Sequence, residues 1–175
     1  RNGVCRPFDA AADGPINGNG AGVILLKPLG AALRDNDVIR AVIRGTAANN
    51  DGSGKVGYTA PSLGGEAAVV AEALSVSGVP SEKIGFVSAH GTATAIGDPI
   101  EIEALVQAFD TTQKGFCSLG AVKANIGHLD SAAGIAGLIE AMLALEHKEL
   151  PPIANFCTPN PQLRLEETPF VIRTE

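Results

Sequence analysis

Short apolar runs alternate with helix-like stripes along this chain, and that alternation limits the folds open to it more than any other feature. Gly22-Val23-Ile24-Leu25-Leu26 is an apolar run after a glycine-rich stretch and reads as a buried strand. Leu29 to Arg34 suits a short helix, and Val38 to Ala48, rich in Val and Ile, reads as a second strand. Asn49 to Gly54 is a loop by composition. Pro61 and Ser62 open a helix whose Val70, Ala73, Leu74 and Ser77 share one face, ended by Gly78 and Pro80. Ile84 to Val87 is a strand. Asp98-Pro99-Ile100-Glu101 then starts a helix, with Asp98 as cap, Pro99 in the first turn and Glu101 reaching back to the cap. Ile102, Leu105, Val106 and Phe109 form its buried face. Phe116 to Val122 is the next strand. Asp130 or Ser131 caps a long helix to about His147, with Ile135, Leu138, Ile139 and Met142 as its stripe, and Phe170-Val171-Ile172 is a last strand. Strand and helix in this order predict a layered α/β fold with a mostly parallel sheet.

The function classes that remain are narrowed by composition. A length of 175 residues suits one domain or a piece of a larger one. A net charge of −6 without a basic block argues against nucleic acid, and 4% aromatics with no Trp leaves few stacking platforms. No apolar run approaches the ~18 residues of a membrane helix, and the residues from Arg1 to Cys5 do not form a signal peptide. Cys5, Cys117 and Cys157 lie far apart without CxxC spacing, so they read as reduced thiols of a cytoplasmic protein.

Two histidines stand where chemistry is placed in α/β folds. His90 follows a strand and precedes a Gly-Thr loop, and His128 sits between a strand and a helix. Loops leaving the carboxyl ends of strands form the binding crevice of such sheets, so both can open into one crevice with Lys123 nearby. Two neutral imidazoles facing one cavity can donate N–H bonds to a developing oxyanion or enolate. They can equally bind a metal, a reading that lacks a third ligand at suitable spacing. Thr92 and Thr94 can hydrogen-bond a ligand's amides or cap the loop. His147 lies in a charged segment and reads as solvated surface. Gly18-Asn19-Gly20-Ala21-Gly22 opens a strand instead of a helix, so it reads as a tight turn with close backbone packing, not a nucleotide loop.

With these residues in view, the sequence resembles the β-ketoacyl synthase (ketosynthase) domains of modular polyketide synthases. The likeness rests on Arg6-Pro7-Phe8-Asp9-Ala10, on Thr59-Ala60-Pro61 and on Ala89-His90-Gly91-Thr92-Ala93-Thr94 followed by Gly97-Asp98-Pro99-Ile100-Glu101. It also rests on Val122-Lys123-Ala124-Asn125-Ile126-Gly127-His128-Leu129 and on Asn155-Phe156 with Pro159-Asn160-Pro161. The resemblance implies a thiolase-like layered fold, with residues 1–37 ending the first half and residues 38–175 forming the second. It implies decarboxylative Claisen condensation of acyl and malonyl-type thioesters carried on the phosphopantetheine of acyl carrier proteins, with no cofactor or metal bound directly. His90 and His128 would stabilise the extender enolate, Lys123 would support His128, and Thr92 and Thr94 would touch the phosphopantetheine arm. Expected partners are the carrier protein, neighbouring synthase domains and a second copy in a homodimer.

Departures from the family pattern matter as well. The family's nucleophilic Cys lies in a D-T-A-C-S-S motif that these residues do not contain, and none of the three cysteines stands in that context. The chain thus reads as a middle-to-end piece of a ketosynthase, inactive in condensation by itself. A non-condensing module that decarboxylates or docks carrier proteins is the alternative, and a thiolase using free coenzyme A is a further one. Ser88 stands where the family usually has Glu, and Ala93 where it usually has Gly. If that second position needs a positive φ, Ala is unfavourable there by about 1 kcal/mol or more.

Overall fold

The computed structural model describes residues 3–52 and 61–174. The Thr59-Ala60 part of the family likeness, the end of the expected 49–54 loop and the first two residues lie outside them. Five helices are described: α1 (Leu29–Arg34), α2 (Leu63–Ser77), α3 (Gly97–Phe109), α4 (Lys123–Ile126) and α5 (Ala133–His147). Three described strands, β1 (Phe86–Ser88), β2 (Cys117–Gly120) and β3 (Phe170–Ile172), form one parallel sheet in the order β1-β2-β3. Phe86 pairs with Ser118 and Ser88 with Gly120, while Cys117 pairs with Phe170. Each connection is a crossover, β1 to β2 through α3 and β2 to β3 through α5, which is what parallel pairing requires.

Burial follows from that topology. The central strand β2 is buried along its whole length, as expected of a parallel strand covered on both faces. Phe8, Ile102, Leu105, Phe109, Leu119 and Phe170 join in the core. Phe109 and Phe170 meet edge to face with ring centroids 4.9 Å apart. Burying a side chain of this size stabilises the fold by about 1.5–3 kcal/mol. Asp9 ties the two ends of the chain together: its carboxylate accepts the N–H groups of Ala11, Cys157 and Thr158 at 2.7–2.8 Å. His147 is exposed, as its charged neighbours imply.

Several expected elements take another form. The strands expected at 22–26 and 38–48 are absent. Val23, Leu25 and Val38 are 92%, 94% and 80% exposed, and no described strand pairs with either segment. Apolar content marks a segment for burial, but a strand also needs a neighbour to satisfy its N–H and C=O groups. Asp98 is not the cap of α3, and Glu101 does not reach back to it. The Thr94 hydroxyl accepts the Gly97 N–H at 3.0 Å, while the buried Asp98 carboxylate accepts the Phe8 N–H at 2.7 Å. Neither Asp130 nor Ser131 caps α5: both lie in a 3-10 turn, and Ala132, which precedes the helix, caps it with no side-chain bond. By contrast, Ser62 caps α2 by accepting the Gly65 N–H, and Gly78 ends it in the left-handed conformation. Among the described residues no helix is long and apolar enough to cross a membrane.

Candidate active site

The sheet delivers two loops to one place. β1 ends at Ser88 and β2 at Gly120, and the ladder is extended by a bond from the Ala89 N–H to the Gly120 carbonyl at 2.9 Å. His90 leaves the first strand end and Lys123 opens the turn after the second. The two imidazoles stand edge to face, with centroids 5.6 Å apart and planes at 85°. The pair anticipated from strand-end positions is therefore assembled, 38 residues apart in sequence and in contact in space.

His90 is held by its backbone on both sides. The Glu101 carboxylate of α3 accepts its N–H at 2.5 Å and the Gly91 N–H at 2.8 Å. Lys123 Nζ donates to the His90 carbonyl at 2.5 Å. The loop turns at Gly91, with φ +48°, where a Cβ would lie 3.0 Å from that of Ala121, so Gly provides both the conformation and the room. Ala93 follows with φ +57° and is fully buried. The unfavourable positive φ considered for this position is thus present, held by the Gly14 N–H on the Ala93 carbonyl at 2.7 Å.

His128 is held by the glycine-rich stretch. Its N–H donates to the Ile16 carbonyl at 2.7 Å, and its own carbonyl accepts the Gly18 N–H at 3.0 Å. A Cβ on Gly18 would sit 2.1 Å from the Ile126 carbonyl oxygen, so only Gly lets this strap lie against the histidine turn. Close backbone packing, and not nucleotide binding, is the use of that stretch here. The Asp130 N–H donates to His128 Nδ1 at 2.9 Å, which leaves the ring proton on Nε2 as a donor.

Electrostatics keep His90 neutral. Desolvation, the Lys123 ammonium and His128 push the His90 pKa down to about 4, although its side chain stands at the exposed rim. Burial raises Glu101 to about 7 against the lowering by its two N–H bonds. Burial also lowers Lys123, opposed by the carboxylates of Glu101 and Glu140. Lys123 Nζ bonds the His90 carbonyl, and among the described residues it makes no hydrogen bond to the His128 ring. Thr92 and Thr94 sit in the same loop with hydroxyls 3.2 Å apart, and Thr94 also serves the start of α3. A neutral imidazole, a second one with its Nε2–H available and a buried ammonium can together stabilise negative charge developing on an oxygen. No cluster of three or more potential metal ligands occurs among the described residues.

The cysteines do not join this group as nucleophiles. Cys117 is fully buried in β2 and burial pushes its thiol up to about 12. Cys5 is buried as well and its pKa is raised, chiefly by desolvation. Cys157 is exposed, beside Asp9. The residue that sequence reasoning missed is Glu101. Its aspartate-to-glutamate spacing from Asp98 imitates a capping box, and nothing local marks it as a partner of a loop ten residues earlier.

Comparison with known proteins finds relatives of the chain. Residues 40–157 match the family model "Beta-ketoacyl synthase, C-terminal domain", and residues 1–32 match "Beta-ketoacyl synthase, N-terminal domain". The chain is 52% identical over 176 aligned residues to a component of the phenolphthiocerol/phthiocerol polyketide synthase of Mycobacterium tuberculosis, covering 99% of this chain and 12% of that protein. It is 44% identical to polyketide synthase PksN of Bacillus subtilis, covering 99% of this chain and 3% of that protein. Among solved structures, the ketosynthase from module 6 of the bacillaene synthase of Bacillus subtilis 168 superposes with a TM-score of 0.95 at 42% identity, covering 99% of this chain and 31% of that one. The ketosynthase from module 1 of the bacillaene synthase of Bacillus amyloliquefaciens FZB42 does so with a TM-score of 0.95 at 47% identity, with the same coverage. The chain thus spans about a third of the ketosynthases it superposes on, and it carries their thiolase-like fold. Matched over most of its length by the family model, and holding two histidines edge to face at the ends of parallel strands, the chain belongs to the β-ketoacyl synthase family.

Proposed function

We propose that this chain supplies the histidine and lysine machinery of a polyketide synthase ketosynthase that performs decarboxylative Claisen condensation. The single observation that carries this reading is the His90–His128 pair, with rings 5.6 Å apart and His128 Nε2 left as a donor. The nucleophilic Cys is contributed by the rest of the domain. It takes the acyl group from a carrier-protein thioester, forming a new thioester and releasing the carrier thiol. The malonyl-type extender then loses CO2, and the electron pair of the broken C–C bond passes into a thioester enolate. Its oxygen is stabilised by N–H donors of His90 and His128. The enolate carbon attacks the acyl-enzyme carbonyl, and the Cys thiolate leaves.

In this reading Thr92 and Thr94 contact the phosphopantetheine arm, and Lys123 holds the His90 peptide in register. These 175 residues alone do not condense, since no cysteine among them has the setting of an activated thiol. Residues 1–37 close the first half of the domain and residues 38–175 belong to the second. Carrier proteins, neighbouring synthase domains and a second ketosynthase in a cytoplasmic homodimer are the partners that the family likeness supports.

The test is made on the intact ketosynthase containing this chain. His90→Ala and His128→Ala are compared with wild type for acyl loading and, separately, for chain elongation. Loading is expected to persist while elongation falls by about 10²–10³. Elongation near the wild-type rate in either variant overturns the assignment.

A further inference from the structure

One half-buried carboxylate near the site remains unused by that mechanism. Glu140 stands on α5, and its Oε2 accepts a hydrogen bond from the Ser88 hydroxyl. Ser88 ends β1, two residues before His90, and α5 begins at Ala133, five residues after His128. The bond therefore ties the strand that leads into one histidine to the helix that follows the other. Two glycines make room for it. Gly120 pairs with Ser88 in the β1–β2 register, and a Cβ there would lie 3.2 Å from Glu140 Oε1. Gly137 precedes Glu140 by three residues and so shares its face of the helix. A Cβ there would lie 2.9 Å from the Ser88 hydroxyl and force the pair to shift. The helix needs such a fastening. Within the described residues none of α5 is fully buried, and apolar contact, being non-directional, does not set how a helix is turned or slid on a sheet. A hydrogen bond between two defined atoms does.

We propose that Ser88 and Glu140 are positioning residues for the histidine pair: their hydrogen bond seats α5 on the end of β1 and thereby sets the distance between the His128 and His90 rings. On the β1 side only Ala89 separates the bond from His90, and the Ala89 N–H is itself held by the Gly120 carbonyl at 2.9 Å. On the α5 side the helix is continued backward by the 3-10 turn Asp130–Ala132, closed by the Ala132 N–H on the Leu129 carbonyl at 3.0 Å. The Asp130 N–H of that turn holds His128 Nδ1. The path from Glu140 to the His128 ring is thus hydrogen-bonded along its length, and a slide or rotation of α5 is passed to that ring. An enolate oxygen uses both N–H donors at once. A shift of about an ångström in their spacing costs about a hundredfold in rate, while the two imidazoles stay chemically intact. Acyl loading takes place on the Cys contributed by the rest of the domain and does not use that spacing.

This inference rests on the proposed condensing function, and the experiment separates the two. In the intact ketosynthase, malonyl-thioester decarboxylation, acyl loading and melting temperature are measured for wild type, His90→Ala, Ser88→Ala, Glu140→Leu, Glu140→Gln and the Ser88→Ala/Glu140→Leu double variant. Ser88→Ala and Glu140→Leu are each expected to lower the kcat of decarboxylation by about ten- to a hundredfold, with KM and loading unchanged. The double variant is expected to lose no more than the slower single one, since both remove the same bond. Glu140→Gln keeps an acceptor oxygen for the Ser88 hydroxyl and is expected to recover most of the rate. Should Glu140→Leu fail to fold, Ser88→Ala and Glu140→Gln carry the test with the same expectations. With His90→Ala inactive, wild-type decarboxylation in Ser88→Ala, additive losses in the double variant, or a Glu140→Gln as slow as Glu140→Leu overturns the positioning role alone. A parallel fall of loading, decarboxylation and melting temperature overturns it too, since the bond then serves folding only. An active His90→Ala overturns the condensing assignment and this inference with it.

Discussion

Lys123 grips the backbone of His90: its Nζ lies 2.5 Å from the His90 carbonyl oxygen, while Glu101 accepts the N–H of the same residue. The peptide units beside the candidate catalytic ring are thus fixed by one buried cation and one half-buried carboxylate. Lys123 comes from the turn after β2 and Glu101 from α3, so the loop owes its shape to side chains outside its own residues. Removing either partner is expected to displace the ring while leaving it chemically intact.

Replacing Glu101 tests that statement directly. In Glu101→Gln the amide NH2 must face one of the two N–H donors of His90 and Gly91. An unsatisfied buried donor costs about 1–3 kcal/mol, and a displacement of about an ångström at the reacting group costs about a hundredfold in rate. Elongation is expected to fall by that order with acyl loading retained. A crystal structure of the variant is expected to show the His90 loop moved. Wild-type elongation would sink the positioning role.

Asp9 makes the fold sensitive to acid. Burial raises its pKa, but the N–H groups of Ala11, Thr158 and Cys157 outweigh it and hold the carboxyl below its ordinary 3.8. The unfolded chain therefore takes up the proton first on acidification. The stability contributed by Asp9 is fully present above the unfolded value and is lost as pH falls through the lowered folded one. Asp9→Asn is expected to destabilise the intact domain by about 1–3 kcal/mol at neutral pH and to flatten the loss of stability below pH 3.8. Chemical denaturation at several pH values reads both effects.

Ala93 occupies a backbone position suited to glycine. Its φ of +57° places Cβ against the carbonyl, a cost of about 1–2 kcal/mol for an L-residue. Ala93→Gly removes that cost but gives the unfolded chain more freedom and loses one buried methyl. The net expectation is a gain of about 0.5–1 kcal/mol with unchanged elongation. A lowered melting temperature contradicts it.

Ser118 carries the opposite kind of cost. It lies fully buried in the middle of β2, and its hydroxyl has no hydrogen-bond partner among the described residues. An unmet buried hydroxyl is unfavourable by about 1–3 kcal/mol. Ser118→Ala is therefore expected to leave the melting temperature unchanged or raise it, with elongation intact. A drop of several degrees would show that the hydroxyl is satisfied in solution.

Metal removal completes the set. The proposed chemistry asks for N–H donors to an enolate, and His90 and His128 supply them without a Lewis acid. Exhaustive chelation of the intact ketosynthase is expected to leave elongation unchanged. Activity lost on chelation and restored by zinc would require a different site.

By itself the sequence determined the local elements whose signals are short-range. The cap at Ser62 and the stop at Gly78 bound α2 as read, and α1 has the expected limits. Phe170 to Ile172 forms the expected strand, and the apolar face of α3 is in the core. The likeness in the His90 and His128 segments was legible because those residues carry it in consecutive positions. Tertiary structure alone decided what the polar residues bind. Asp98 and Glu101 satisfy every local rule for a capping box, yet their carboxylates bond the N–H groups of Phe8, His90 and Gly91, which only the folded chain brings to them. Residues 22–26 satisfy the local rule for a strand, yet no described neighbour pairs with them. Local pattern reports what a segment can become; the pairing of N–H and C=O groups across the fold decides what it is, and that pairing is non-local.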